Sequence, residues 1–168
     1  MNLPDWPIVY CVKDSKIENN KFFYKSPNPK ISIVITVYNG EAYLKTSLTS
    51  IQNQDFKDVE IVFVDDCSKD SSVELIKKLM ENDKRIVLYR NTINKGMLFT
   101  KTKGALMAKG KYVMILDVDD MYTQKDVFTT LYGEAEKNNL DIVSFGGIFS
   151  SPKIKKKYFN YHLSEINN

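Results

Sequence analysis

Three aspartates within four positions carry the clearest chemical signal in this sequence. Asp117, Asp119 and Asp120 directly follow an apolar run at residues 111–116. Carboxylates at such spacing repel one another and raise one another's pKa unless a positive charge balances them. Hard oxygen ligands suit Mg²⁺ or Mn²⁺, and side-chain alternation along an extended chain lets Asp117 and Asp119 face the same ion. The spacing therefore predicts a divalent-cation site, and a solvated turn leading into a helix is the alternative.

The run that leads into these aspartates is predicted to be a strand. Five of its six residues are apolar or aromatic, a pattern typical of a strand that is buried on both faces in a parallel sheet. Similar runs occupy residues 31–37 and 59–64, and a shorter one occupies residues 85–89. The first two of these runs end in loop-forming or acidic residues at 38–40 and 65–68.

Apolar positions at helical spacing separate these strands. Ser71 and Glu74 have the spacing of a capping box, and Gly110 is expected to close the helix before it in the left-handed conformation. The predicted helices cover residues 41–52, a segment from Ser71 onward, about 97–109 and 123–137. Two further strands are predicted, an edge strand at residues 8–12 and a last strand at residues 141–145.

Strands and helices that alternate at this spacing along the chain predict an α/β fold, a mostly parallel sheet with helices on both faces. Right-handed crossovers place the carboxyl ends of all parallel strands on one edge, where ligands of open α/β sheets bind. That edge gathers three loops, at residues 36–40, 65–68 and 117–120. We therefore expect these loops to share one ligand.

Composition narrows the class of function. The 168 residues suffice for one domain with its own core, and a net charge of +3 is too small to indicate nucleic acid as a partner. Cys11 and Cys67 lie in unrelated contexts and are expected to be reduced thiols, which fits a cytoplasmic location. No apolar run approaches the roughly 20 residues of a membrane span, and the N-terminus lacks the pattern of a signal peptide. Membrane association is not indicated.

Five short segments, in this order, resemble family 2 glycosyltransferases of the GT-A fold. They are residues 33–39 (IVITVYN), 60–71 (EIVFVDDCSKDS), 94–96 (NKG), 104–112 (GALMAKGKY) and 116–120 (LDVDD). The resemblance implies a GT-A, Rossmann-like fold and a nucleotide-diphosphate-sugar donor, with a UDP-sugar favoured. It also implies Mn²⁺ or Mg²⁺ as cofactor and inverting transfer to an unknown glycan, lipid or protein acceptor.

The resemblance carries roles over to single residues. Thr36 and Tyr38 fall where the family's first loop meets the nucleobase and ribose, and Asp66 falls where a carboxylate accepts a hydrogen bond from the base. Asp117 matches the position near ribose and metal, and Asp119 matches the metal ligand that bridges to the diphosphate. Asp65, by contrast, is expected to brace its loop.

Two positions depart from the family pattern. Thr36 stands where the family usually has Pro, and Lys101 stands where it often has Arg. Lysine keeps a charge for a diphosphate but lacks the planar fork of arginine, so a phosphate or base contact and a solvated helix face are both open for Lys101. Gly104 is expected to be a point of close helix–sheet packing. The loop at 94–96 either approaches the ligand or is a plain turn.

No general base can be assigned. The later acids Glu134, Glu136, Asp141 and Glu165 lack the family's context, so the catalytic base is unknown. We expect an N-terminal extension at residues 1–29, a nucleotide-sugar-binding domain at 30–150, and at 151–168 a tail or the start of a remainder.

The C-terminal acceptor part is therefore expected to be missing from this chain. Two alternative functions remain, a nucleotide-sugar-binding module without turnover and an aspartate-dependent phosphatase. The phosphatase fits less well because its Asp-x-Asp pair belongs on an early strand, whereas Asp117 and Asp119 come late in this chain.

Overall fold

The computed structural model describes residues 15–18, 28–151 and 154–159. The chain divides into two compact units, Met1–Thr129 and Thr130–Asn168. The edge strand predicted at residues 8–12 lies outside the described residues. No helix in the described ranges is both long and apolar enough to cross a bilayer.

The first unit is built on a five-stranded sheet with the spatial order β1-β4-β3-β2-β5. Strands β2 to β5 run parallel, and β1 pairs antiparallel with β4 at the edge. The strands are β1 Ser15–Glu18, β2 Ile31–Val37, β3 Val59–Asp65, β4 Ile86–Asn91 and β5 Tyr112–Asp117, and the helices between them are α1 Glu41–Gln52, α2 Ser72–Asn82 and α3 Met97–Met107.

The strand order creates a switch point between β2 and β5. The chain builds outward through β2, β3 and β4, and then α3 crosses back over β2 and β3 to place β5 on the other side of β2. Right-handed crossovers put α1 and α2 on one face of the sheet and α3 on the other. The register sets Thr36 beside Asp117 and Val37 beside Asp65. The predicted α/β fold and the predicted edge of converging loops are confirmed.

The core lies between β2, β3 and the helices that cover them. Every residue of β2 and β3 is buried, as expected for central strands of a parallel sheet. Helix α3 contacts both strands, and a Cβ added to Gly104 would collide with the Cγ1 of Val34. The close helix–sheet packing that was predicted for Gly104 is therefore what the structure shows.

Two predictions around β5 were wrong. The strand is not buried on both faces, because Val113 and Ile115 are 42% and 48% exposed. Gly110 does not have a positive φ angle, and α3 already ends where Ala108 becomes extended. Gly110 is required for another reason, since a Cβ there would lie 2.5 Å from the backbone nitrogen of Ser32.

The capping box predicted for α2 does not form. The Ser71 side chain makes no capping hydrogen bond, and instead α1 and α2 cap each other. The Glu41 N–H donates to Asp70 Oδ2 at 3.1 Å, and the Ser71 N–H donates to Glu41 Oε2 at 2.7 Å. Asp70 Oδ1 also accepts from the Ser72 N–H at 3.0 Å. Two acidic side chains thereby satisfy backbone donors at the start of both helices.

The last helix, α4, spans Val127–Asn138 and begins four residues later than predicted. Side chains at and just beyond the end of α1 hold the segment before α4 in a non-helical path. Gln54 donates to the Gln124 carbonyl at 2.6 Å and accepts from the Phe128 N–H at 3.3 Å, and Ser50 Oγ accepts from the Tyr122 N–H at 3.1 Å. Local sequence patterns that mark the start of a helix do not report such long-range contacts.

The second unit contains an antiparallel hairpin of β6 Gly147–Ser151 and β7 Ile154–Phe159. The strand predicted at residues 141–145 does not form, and that segment is irregular. The predicted domain boundaries at 29/30 and 150/151 stay a prediction.

Mutual capping of α1 and α2 makes Asp70→Ala a test of how the first two loops are held. The substitution removes an acceptor for two backbone N–H groups, and we expect it to lower the free energy of unfolding by about 1 kcal/mol near neutral pH. Urea unfolding of this variant beside Glu81→Ala, an exposed acid elsewhere on α2, measures the loss.

The pH dependence of that loss has a defined sign. Burial opposes ionisation, but hydrogen bonds from Ser72 and the backbone of Glu41 outweigh it and hold the pKa of Asp70 below its ordinary 3.8. A depressed pKa stabilises the fold above the unfolded-state pKa, and this stabilisation fades as the pH falls through the folded-state pKa. The loss is therefore smaller at about pH 3.5 than at about pH 7. Equal losses at both pH values would contradict the capping role.

Candidate functional site

The side chain of Asp66 is the centre of the loop cluster at the carboxyl edge of the sheet. It is buried, and its Oδ1 accepts from Asn91 Nδ2 and from the Lys95 N–H, both at 2.8 Å. Its Oδ2 accepts from the Gly96 N–H, also at 2.8 Å. Gly96 has a φ angle of 86°, a conformation that disfavours other residues. Asp66 thus fixes the loop between β4 and α3 against the end of β3.

A buried lysine continues this network on the side of α3. Lys103 is 1% exposed, and its Nζ donates to Asn91 Oδ1 at 2.5 Å. Asn91 Nδ2 also lies 3.3 Å from Thr100 Oγ1. Sequence analysis missed Lys103 and Asn91 as site residues. The available signal was spacing, because Lys103 follows Thr100 by three positions and adjoins Gly104 on the face of α3 that packs against the sheet.

Asp65 braces the loop after β3, as predicted. It is fully buried, and its carboxylate accepts from the Ser68 N–H at 3.2 Å and from Arg90 Nε at 3.1 Å. Arg90 also donates to the Ser68 carbonyl at 3.3 Å. The ion pair between Asp65 and Arg90, with its hydrogen bonds to Ser68, therefore holds both ends of the loop.

The loop after β2 is locked to the loop after β3. The Asp66 N–H donates to the Val37 carbonyl at 2.8 Å, and the Asn39 N–H donates to Ser68 Oγ at 2.9 Å. Asn39 has a φ angle of 51°, and its Oδ1 accepts from the Lys69 N–H at 2.8 Å. Tyr38, which the resemblance places at the base and ribose, is 51% exposed on this fixed loop.

Lys101 neutralises the first aspartate of the acidic turn. Its Nζ lies 2.8 Å from Oδ1 and 2.9 Å from Oδ2 of Asp117, and both side chains are partly exposed. Thr36 Oγ1 lies 3.4 Å from the same Oδ1. The structure therefore places Thr36, Lys101 and Asp117 together, and Lys101 faces the site instead of projecting from a solvated helix face.

Residues 117–120 form a tight turn that concentrates negative charge. The Asp120 N–H donates to the Asp117 carbonyl at 2.9 Å, and the side chains of Asp119 and Asp120 are exposed. Burial, followed by the charges of Asp119 and Asp117, raises the pKa of Asp120 above its ordinary 3.8, while Lys101 opposes the shift. Uncompensated charge of this kind favours a bound cation.

The residues of this turn fit a divalent cation that is shared with a ligand. Within the described residues, no three His, Cys, Asp or Glu side chains form a ready-made metal cage. Mg²⁺ in particular is often held by one or two carboxylates together with substrate phosphates and water. Asp117 and Asp119 supply such oxygen ligands, so the fit is to a cation that binds with an anionic ligand.

Most of the predicted site residues lie at or just beyond the carboxyl ends of neighbouring strands, and Lys101 reaches the same edge from α3. Asp66 follows β3 and Asp119 follows β5, and both strands flank β2. Since adjacent strands lie about 4.8 Å apart, the two strand ends are separated by roughly 10 Å across the edge. A ligand about 10 Å long would therefore reach from Asp66 to the acidic turn.

Comparison with protein families gives a match over most of the chain. The model for glycosyl transferase family 2 matches residues 32–167. The chain is 36% identical over 134 residues to "Glycosyltransferase GlyA" of Streptococcus pneumoniae, covering 80% of this chain and 19% of that protein. It is 32% identical over 154 residues to "Uncharacterized glycosyltransferase MJ1057" of Methanocaldococcus jannaschii, covering 81% and 53%.

A third relative has a more specific name. It is the "GalNAc(5)-diNAcBac-PP-undecaprenol beta-1,3-glucosyltransferase" of Campylobacter jejuni, 38% identical over 93 residues, covering 55% of this chain and 30% of that protein. The chain therefore spans about half or less of the length of each of these relatives.

Solved structures of glycosyltransferases share the fold. S. aureus TarS 1–349 in complex with UDP-GlcNAc superposes with a TM-score of 0.60 at 26% identity, covering 66% of this chain and 32% of that chain. The mannosyltransferase PcManGT of Pyrobaculum calidifontis, solved with GDP-Man and Mn²⁺, has a TM-score of 0.56 at 21% identity, covering 73% and 36%. The second likeness shows the fold alone, and both confirm the predicted GT-A fold.

Repulsion within the acidic turn leads to a prediction for Asp120→Asn. A carboxyl whose pKa is raised on folding stabilises the fold while protonated and loses this contribution as the pH rises through its folded-state pKa. The neutral amide should therefore stabilise the metal-free protein at about pH 7, by no more than about 0.5 kcal/mol for an exposed group.

Thermal unfolding without divalent cations measures this gain. The advantage should fade as the pH falls below about 3.8, the ordinary pKa of an aspartate, because the carboxyl of Asp120 is then largely protonated in both the folded and the unfolded chain. Asp141→Asn, an exposed aspartate outside the turn, is the matched control and should show no gain. A destabilised Asp120→Asn protein at neutral pH would contradict the repulsion.

Proposed function

The chain belongs to glycosyltransferase family 2, and from this premise we propose that it binds a nucleotide-diphosphate sugar for inverting, metal-assisted transfer. A UDP-sugar is the favoured donor. The observation that carries the proposal is the common position of Asp66, Lys101 and the Asp117–Asp120 turn at one edge of the sheet. Acidic and basic groups on loops this close suit a ligand with a polar base at one end and phosphates at the other.

The base is proposed to bind at Asp66. A carboxylate offers about four acceptor positions, and three are taken by Asn91, Lys95 and Gly96. The remaining position on Oδ2 suits a ring N–H such as the N3–H of uracil. The exposed ring of Tyr38, on the loop locked to the one that carries Asp66, is proposed to stack on the nucleoside.

The diphosphate is proposed to bind at the acidic turn together with Mn²⁺ or Mg²⁺, held by Asp117 and Asp119. The cation supplies charge stabilisation on the oxygens of the departing diphosphate. Lys101, which pairs with Asp117 in the free protein, remains next to that charge and is proposed to contact a phosphate. Thr36 Oγ1, 3.4 Å from Asp117 Oδ1, is proposed to orient that carboxylate.

The proposal concerns the donor half of the reaction. The acceptor is proposed to be a glycan, lipid or protein, and the general base is not assigned to any residue of this chain. The relative from Campylobacter jejuni carries an undecaprenol-linked glycan in its name, which supports a lipid-linked acceptor as one member of that class.

A second candidate function is nucleotide-sugar binding without turnover. Every contact proposed above serves donor binding alone, and no general base is assigned among the residues that make these contacts. Hydrolysis or transfer of a UDP-sugar, assayed with and without Mn²⁺, separates the two functions. A phosphatase has no observation in its favour, because Asp117 ends the last parallel strand in chain order and the family is a transferase family.

Metal-dependent nucleotide binding is expected to depend on Asp119. Asp119→Ala removes an exposed ligand without touching the core, so we expect an unchanged melting temperature and a loss of at least about tenfold in UDP affinity with Mn²⁺. Isothermal titration with and without Mn²⁺ measures this, and Asp141→Ala is the matched control. Wild-type affinity in Asp119→Ala would remove this residue from the site.

Asp66→Ala is expected to have two effects at once. It removes the acceptor of three donors, so the protein should lose about 1–3 kcal/mol of stability. It should also lose the preference for UDP over CDP, because the acceptor for the N3–H of uracil is gone. Competition between the two nucleotides at a temperature well below the melting point tests the second effect. A retained preference would show that another group recognises the base.

A further inference from the structure

The ammonium group of Lys103 is buried beneath the loops of the site. It has no role in the contacts to the nucleotide-sugar donor that are proposed above. Lys103 is 1% exposed, and its Nζ donates to the side-chain oxygen of Asn91 at 2.5 Å. Burying an ammonium is costly unless strong hydrogen bonds compensate. An apolar side chain would fill the same space on α3 without this cost, so the presence of a lysine there points to a polar role.

The amide of Asn91 is the link between Lys103 and Asp66. Its oxygen accepts from Lys103 Nζ, and its nitrogen donates to Asp66 Oδ1 at 2.8 Å. An amide has chemically different ends, and a lysine ammonium can only donate hydrogen bonds. Lys103 therefore fixes which end of Asn91 faces Asp66. With the amide reversed, its oxygen would face the carboxylate and repel it.

We propose that Lys103 is a positioning residue that acts through Asn91 to orient the carboxylate of Asp66 and so sets the discrimination between nucleobases. The inference deepens the proposed function and rests on it. The chain of donors runs in one direction, from Lys103 to Asn91 to Asp66, and together with the Lys95 N–H it holds Oδ1 in place. The remaining acceptor position on Oδ2 is thereby aimed at one point of the base site.

The chemistry of that position selects uracil over cytosine. Uracil presents an N3–H donor, whereas the unprotonated N3 of cytosine presents a lone pair and would meet the carboxylate with repulsion. A site that is built to hydrogen-bond one donor strongly rejects an analogue that lacks it. If the carboxylate is free to rotate, this penalty shrinks, because another group or water can take its place.

The experiment compares UDP and CDP binding to the full chain in the presence of Mn²⁺. The proposal expects the wild-type protein to prefer UDP by about tenfold or more, the scale of one hydrogen bond to a charged group. Lys103→Met, which keeps the aliphatic stem without the donor, should reduce this preference to about threefold or less. Lys109→Met, an exposed lysine two residues beyond α3, is the matched control and should keep the wild-type ratio.

A double-mutant cycle shows whether Lys103 acts through Asn91. Asn91→Leu removes the link, and Lys103→Met combined with Asn91→Leu should show no further loss of preference than Asn91→Leu alone. Asn91→Asp covers the case in which Lys103→Met fails to fold, because it keeps a partner for Lys103 but removes the donor to Asp66. This variant should also lose the preference for UDP.

The possible results test the proposed function and the role of Lys103 separately. If the wild-type protein binds neither UDP nor CDP with Mn²⁺, the proposed function fails. If it prefers UDP and Lys103→Met weakens both nucleotides equally without changing their ratio, the proposed function stands and the role of Lys103 is purely structural. Equal binding of UDP and CDP by the wild-type protein, or a full preference in Asn91→Asp, would also overturn the inference.

Discussion

A buried carboxylate must receive hydrogen bonds, and this requirement at Asp66 organises the candidate site. The three donors to Asp66 come from the end of β4, which already pairs with β3 in the sheet, and from the loop before α3, which Asp66 joins to the end of β3. Satisfying one side chain therefore fixes that loop against the sheet. Because the donors are largely backbone N–H groups, the geometry of the loop is set before any ligand binds.

The two halves of the site differ in physical character. The half at Asp65 and Asp66 is buried and held by hydrogen bonds, and the mutual capping of α1 and α2 ties its loops together. The half at Asp117–Asp120 is exposed and carries negative charges that repel one another. The positive charge of Lys101 offsets part of this repulsion. The buried, preorganised half suits recognition of a base. The exposed half carries excess negative charge, which suits binding of a cation together with phosphates.

The sequence predicts which loops meet at the carboxyl edge of the sheet, but not the contacts that hold those loops in place. Short runs of β-branched residues identified β2 and β3, and the crossover rule predicted that the carboxyl ends of the parallel strands share one edge, where Asp66 and Asp117 lie in the structure. Helix ends were misjudged where long-range contacts decide them, as at Ser71 and at the start of α4. Lys103 was overlooked because a lysine on a helix is usually exposed, and only the packing of α3 reveals its burial.

The central claim is that one ligand with a cation bridges the loops at the carboxyl edge of the sheet. The most direct measurement is an amide NMR spectrum of the full chain with UDP and a small amount of paramagnetic Mn²⁺. The account predicts UDP-dependent broadening that is strongest at residues 117–120 and reaches residues 36–40 and 65–68. Broadening that is unchanged by UDP, or that is strongest away from these three loops, would contradict it.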